Sequence, residues 1–131
     1  MISHLDHVVL TTSRLPACLD FYTRVLGMTL ERFIGGTPPV ERLALKFGAQ
    51  KINVHLQGSE FSPRAHLPVP GSQDWCFIAS VPLADVVERL QAAGWPIIEG
   101  PVRRTGANGP ILSVYVRDPD LNLIEIAEPI R

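Results

Sequence analysis

The chain has 131 residues, 46% hydrophobic and 19% charged, enough for one domain with a core and short for two independent ones. Its 12 basic and 13 acidic side chains leave a formal charge of -1, which gives no electrostatic reason to expect nucleic acid. No apolar run reaches bilayer-spanning length, the opening MISHLDH lacks a signal-peptide core, and Cys18 and Cys76 make no disulfide framework. The expectation is a cytoplasmic globular protein with neither nucleic-acid nor membrane partners.

In chain order, a short apolar strand from Asp6 leads through a turn into a helix with Pro16 just inside its start and Gly27 at its end. Strand spacing follows at Thr29–Ile34, Arg42–Phe47 and Lys51–Gln57, with a turn at Gly35–Pro39. The stretch 58–73 is rich in proline, serine and glycine and reads as a connector. From Asp74 the design repeats: strand, helix opened by Pro82 and closed by Gly94, then strands at Pro96–Glu99, Ile111–Arg117 and Asn122–Glu128. A turn is expected over Gly100–Pro110. At an offset of 68, Asp6 falls on Asp74, Leu10 on Ile78, Leu15 on Leu83 and Leu19 on Val87. One extra residue in the first copy then brings Gly27 onto Gly94. A repeat covering half the chain implies two related modules, about 1–57 and 74–131, within one domain over 1–131.

Alternation assigns faces to the strands. Ile52, Val54 and Leu56 go to the core and Asn53, His55 and Gln57 opposite; Leu112, Val114 and Val116 go to the core and Ser113, Tyr115 and Arg117 opposite. Three ionisable groups interrupt apolar strands: His7, His55 and Glu125. A carboxylate in such a strand is costly to bury unless it is paired, hydrogen-bonded or bound to a cation. Two imidazoles and one carboxylate are the donor set of a facial-triad metal site. Each also has a structural reading, the histidines as hydrogen-bonded strand residues and Glu125 as a partner of Arg117, Arg103 or Arg104. His66 in the connector is either an acid-base group over a cleft or a surface residue, and Tyr115 either an oxyanion donor or a rim aromatic. Arg64, Arg103 and Arg104 are anion clamps or solvated charges. Cys18 and Cys76 read as buried small hydrophobes.

The strings DHVVL at 6–10, FYTRVLGM at 21–28, INVHL at 52–56 and RDPDLNLIEI at 117–126 resemble the vicinal oxygen chelate superfamily. That superfamily groups glyoxalase I, extradiol dioxygenases, and fosfomycin- and bleomycin-resistance proteins. The connector EFSPRAHLPVPGS at 60–72 is similar to that of small glyoxalase-domain-containing proteins. The resemblance implies an α+β fold of two paired βαβββ modules with a divalent metal at the strand ends, in a homodimer. Carried over, its four ligand positions fall on His7, His55 (usually glutamate), Trp75 (usually histidine) and Glu125. An indole is a donor only and cannot ligate a metal. The implied set is therefore His7, His55 and Glu125 on iron, manganese, nickel, cobalt or zinc, with Trp75 narrowing the cleft or stacking on substrate.

The implied activity is a glyoxalase-like lyase or isomerase acting on a small substrate with vicinal oxygens. Glu125 and Tyr115 are its expected catalytic residues, and Trp75, Asn53, His66 and Arg104 its expected substrate contacts. Extradiol ring cleavage comes second, because Leu121 replaces the glycine or proline of that motif and no histidine lies six to eight residues before Tyr115. A non-catalytic, ligand-sequestering protein of the bleomycin-resistance type is the third reading.

Overall fold

Residues Met1–Arg131 are all described by the computed structural model. Strand β1 (His7–Thr12) leads into helix α1 (Leu15–Asp20), which continues as a π-helical stretch over Phe21–Val25. Strands β2 (Thr29–Gly35), β3 (Val40–Phe47) and β4 (Gln50–Leu56) complete the first module. The second runs β5 (Asp74–Ile78), α2 (Leu83–Ala92), β6 (Glu99–Gly106), β7 (Gly109–Arg117) and β8 (Leu123–Pro129). The two compact units divide at Ser72 and Gln73. Each is a βαβββ module, so the fold is α+β as expected. No helix is long and apolar enough to cross a membrane.

Within each unit the first strand joins the sheet beside the last, in the orders β1-β4-β3-β2 and β5-β8-β7-β6. The β1–β4 and β5–β8 pairs are parallel and the others antiparallel. A parallel pair needs a long crossover, and the intervening helix and two strands supply it. Proline near each helix start is tolerated because the first-turn N–H groups have no intrahelical acceptor. Gly27 and Gly94 end the helices at φ of 79° and 66°, a conformation that costs glycine little.

In the first unit Phe21, Tyr22, Leu10, Leu45 and Ile52 are fully buried; in the second, Leu83, Leu90, Val114, Val116 and Ile124 are. Each core thus lies between a helix and one sheet face. Leu56 departs from the expected pattern: it ends β4 and is 40% exposed. The sixth strand also lies later than Pro96–Glu99. It spans Glu99–Gly106 and folds onto β7 through Ala107 and Asn108, so most of the expected turn over 100–110 is strand. A register shift between Glu99 and Val102 accommodates Gly100 and Pro101, residues that read locally as a turn.

A polar knot closes the turn from β7 to β8. Asp118, 2% exposed, accepts hydrogen bonds from the N–H groups of Asp120 and Asn122, both at 2.9 Å, and from the Asn122 amide at 2.7 Å. Asn122 in turn accepts the Gln73 N–H at 2.8 Å, which ties the start of β5 to this turn. Leu121 pays for the geometry with a φ of 69° while its side chain is 68% exposed. Leu121→Gly is therefore expected to stabilise the protein by ~1 kcal/mol, since it relieves left-handed strain and gives up little burial. Urea denaturation of the two proteins measures it.

Candidate functional site

The sheet faces turned away from the helices carry the polar residues. In the first unit they form three rungs, read from register. Thr29, Lys46, Lys51 and His7 make one, and Glu31, Ala44, Asn53 and Val9 the next. The third holds Phe33 beside Arg42 and His55 beside Thr11, with Arg42 and His55 one step beyond the last paired positions of β3 and β4.

His7 and His55 therefore share a face but stand four places apart along β1 and β4, about 13 Å at the rise of a strand. Imidazoles that share one ion bring their nitrogens within a few ångströms of each other, so this module does not gather the two histidines on one metal. His7 donates its Nδ1–H to Asp6 Oδ2 at 2.8 Å, which leaves Nε2 available. Hydrogen bonding of one ring nitrogen to a carboxylate is how ligand histidines are oriented. His55 is 6% exposed, with its ring edge-on to Phe61 at 5.3 Å. Burial and the nearby Arg42 charge hold its pKa below the usual histidine range, opposed by Glu60.

The second unit places two sets of hydrogen bonds side by side. Ser113 Oγ donates to Glu125 Oε2 at 2.6 Å, and Cys76 and Tyr115 flank Glu125 on the neighbouring strands. Tyr115 OH accepts Arg104 Nε–H at 3.0 Å, and Arg104 donates onward to Glu99 at 3.1 Å. Cys76, Glu125, Tyr115 and Glu99 are one rung across β5, β8, β7 and β6. Burial is the chief reason the Tyr115 pKa is raised. The hydrogen bond to Tyr115 is the chief reason that of Arg104 is raised.

Two sequence expectations change here. Trp75 pairs with the fully buried Ile124, so it belongs to the helix-side face and lies against Phe77, ring centroids 5.7 Å apart. It does not share a face with Glu125. The cause is parity: the offset of 68 matches buried Leu10 with Ile78, which is 57% exposed, so the repeat slips by one residue within the strand. Cys76 then stands beside Glu125 and keeps solvent contact, whereas Cys18 is buried as expected. Burial, followed by the adjacent Glu125 carboxylate, pushes the Cys76 thiol up to about 11.

An unfolded thiol ionises near its ordinary value of 9.0, while the folded one keeps its proton up to about 11. The unfolded state thus binds fewer protons between those values, and stability falls as pH rises through this window. Cys76→Ser is expected to flatten that alkaline decline in thermal melts taken between pH 8 and 11.

His66 and Arg64 are exposed connector residues, and Arg103 points to the face opposite Arg104. Ser113, Cys76, Arg42 and Phe61 are the site residues that sequence reasoning missed. Alternation had already put Ser113 opposite the core; its hydroxyl partner was not visible at that level.

The family model described as Glyoxalase/Bleomycin resistance protein/Dioxygenase superfamily matches residues 4–126. The chain belongs to that superfamily. It is 52% identical to glyoxalase domain-containing protein RDO1 of Mycosarcoma maydis over 126 residues, 96% of this chain and 68% of that protein. Virulence protein STM3117 of Salmonella typhimurium is 52% identical over 128 residues, 98% of this chain and 85% of that protein. The crystal structure of STM3117 superposes with a TM-score of 0.92 at 51% identity, covering 99% of both chains. A lactoylglutathione lyase from Agrobacterium tumefaciens gives 0.69 at 25% identity, covering 97% of this chain and 94% of that one.

Superfamily members often use divalent metals, and the donors can be tested one at a time. His7 offers a free Nε2, and Glu125 offers Oε1 because Oε2 is taken by Ser113. Both donor types suit a divalent transition metal. The chain gathers no cluster of three or more His, Cys, Asp or Glu that could hold an ion. His7 and Glu125 fit as individual ligands; His55 does not fit as a companion to His7.

Proposed function

We propose that this protein is a glyoxalase-like lyase or isomerase of a small substrate with vicinal oxygens, with Glu125 as its proton-transfer base. The observation that carries the reading is the Glu125 carboxylate itself, set in an apolar strand and held by a hydrogen bond from Ser113. A base so fixed can meet a carbon-bound proton without first ordering its own side chain. Tyr115, braced by Arg104, presents a hydroxyl toward charge developing on a substrate oxygen. Glu125 would be one ligand of a divalent metal, and His7 is a candidate ligand within its own unit. Bound there, the ion would supply Lewis-acid stabilisation of negative charge on the substrate. A homodimeric state belongs to the same proposal.

Elemental analysis of protein purified without a metal-affinity tag tests it. Near-stoichiometric metal is expected in the wild type, with loss in Glu125→Gln. Metal retained in that variant, or none taken up by wild type on reconstitution, would overturn the metal-dependent reading and leave ligand sequestration as the better account. Iron as the bound metal would move ring cleavage ahead of isomerisation.

A further inference from the structure

Asn108 and Gly109 stand at the tip of the β6–β7 hairpin, where Ala107 and Asn108 make the turn and Gly106 pairs with Gly109. Ala107, Asn108 and Gly109 are all exposed. A Cβ built on Gly109 would meet no atom within 4 Å, so nothing crowds this end of the hairpin.

The tip is also weakly tied. Pro110 has no N–H to donate, and its carbonyl accepts the Ile130 N–H at 2.9 Å, away from β6. The next pair able to bond across to β6 is Arg104 with Ile111. Gly106 and Gly109 thus form a closing rung with no bonded neighbour at the following position. Glycine loses more freedom on ordering than any other residue, which weakens that rung further. Such a rung opens without disturbing the strands beneath it.

We propose that Asn108 is a site of spontaneous covalent modification by intramolecular deamidation, with water as the co-reactant. When the closing rung opens, the Gly109 backbone nitrogen gives up its proton and bonds to Asn108 Cγ. The bond from Cγ to the side-chain nitrogen breaks, and that nitrogen leaves with the proton as ammonia. The resulting succinimide takes up water at either carbonyl. Attack at Cγ gives aspartate; attack at the main-chain carbonyl gives isoaspartate, whose main chain runs through Cβ and Cγ. Amide plus water becomes acid plus ammonia, with no oxidation or reduction. Glycine suits the position after asparagine because it puts no side chain in the path of its own nitrogen. The chain's other two asparagines lack these conditions. Asn53 precedes β-branched Val54 and is paired on both sides, with Val9 and Ala44. Asn122 is buried, with its amide held by Asp118 at 2.7 Å.

The consequence reaches beyond the turn. Isoaspartate adds one main-chain carbon between Gly106 and Gly109, which then no longer face each other, and β6 loosens toward Arg104. The inference is independent of metal binding and of catalysis.

The test is to age the full folded chain at alkaline pH, digest it, and follow the peptide of each asparagine by mass. Labelling with an isoaspartyl methyltransferase distinguishes isoaspartate from aspartate. The Asn108 peptide is expected to gain the mass difference between an amide and an acid, while Asn53 and Asn122 keep their amides. The chain unfolded in urea should convert at Asn108 faster, since the closing rung no longer holds Gly109. Asn108→Gln, whose longer side chain would have to close a six-membered ring, should leave the turn unmodified over the same time. Amide exchange of Ile111 should rise severalfold in the isoaspartyl form. It should stay at the wild-type rate in Asn108→Asp, which brings the charge without the extra carbon. An intact Asn108 amide in the folded chain after the unfolded chain has converted would overturn the proposal. So would conversion of Asn53 or Asn122 as fast as Asn108, and unchanged Ile111 exchange in the isoaspartyl form would overturn the effect on β6.

Discussion

Asp118→Ala is expected to lower the unfolding free energy by ~3–5 kcal/mol, the scale of a broken buried polar network. The carboxylate serves three donors at once, two backbone N–H groups and the Asn122 amide, in a site 2% exposed. Alanine leaves all three without an acceptor and frees Asn122, which also holds the Gln73 N–H at the start of β5. The damage should therefore reach β5 and β8, the strands that bring Cys76 beside Glu125. Asp118→Asn keeps the shape and one acceptor oxygen, so it should lose roughly half as much. Equilibrium denaturation of the three proteins decides the matter. A loss below ~1 kcal/mol for alanine would show that backbone bonds alone hold this turn.

Gly100→Ala should be comparably severe, costing ~3 kcal/mol or more, because strain and a clash with backbone add. Gly100 has a φ of 101°, and a Cβ there would fall on the Ser113 carbonyl oxygen with Val114 Cα 3.0 Å away. Neither atom belongs to a side chain that can rotate aside. Strand β6 would have to move off β7, carrying Arg104 away from Tyr115. Gly109→Ala is the control: its φ is 122°, but no atom lies within 4 Å of the new Cβ, so it carries the backbone cost alone. Thermal melts should separate the two variants clearly. Equal losses would mean that φ, and not the Ser113 carbonyl, sets the requirement for glycine.

Much of the fold was legible because local rules and burial agree. Proline at helix starts, glycine at helix ends and alternation along β4 and β7 each have a single physical cause that acts over a few residues. Strand β6 was misplaced because Gly100 and Pro101 carry turn chemistry locally, whereas pairing with β7 draws them into the sheet. The site was legible by residue type and less so by position. His7, His55 and Glu125 stood out as costly groups in apolar strands, yet which ones face each other depends on register, and register is a property of two strands. A one-residue error in matching the halves exchanged Trp75 for Cys76. Arg42 carried no signal of its own, since an exposed strand arginine and one packed on Phe61 read alike.

The π-helical stretch at Phe21–Val25 bears on how the two halves of this chain differ in length. In it the Leu26 N–H reaches back to the Phe21 carbonyl at 3.0 Å, a span of five residues where an α-helix uses four. A π turn holds one residue more than the α turn it replaces. The two repeats differ by one residue between Leu19 and Gly27, the interval that contains it. The extra residue of the first half is thus taken up in the winding of a helix, with Phe21, Tyr22 and Val25 still turned to the core. The first helix thus reaches its closing glycine with one residue more than the second, and the difference is absorbed without turning its apolar side away from the core.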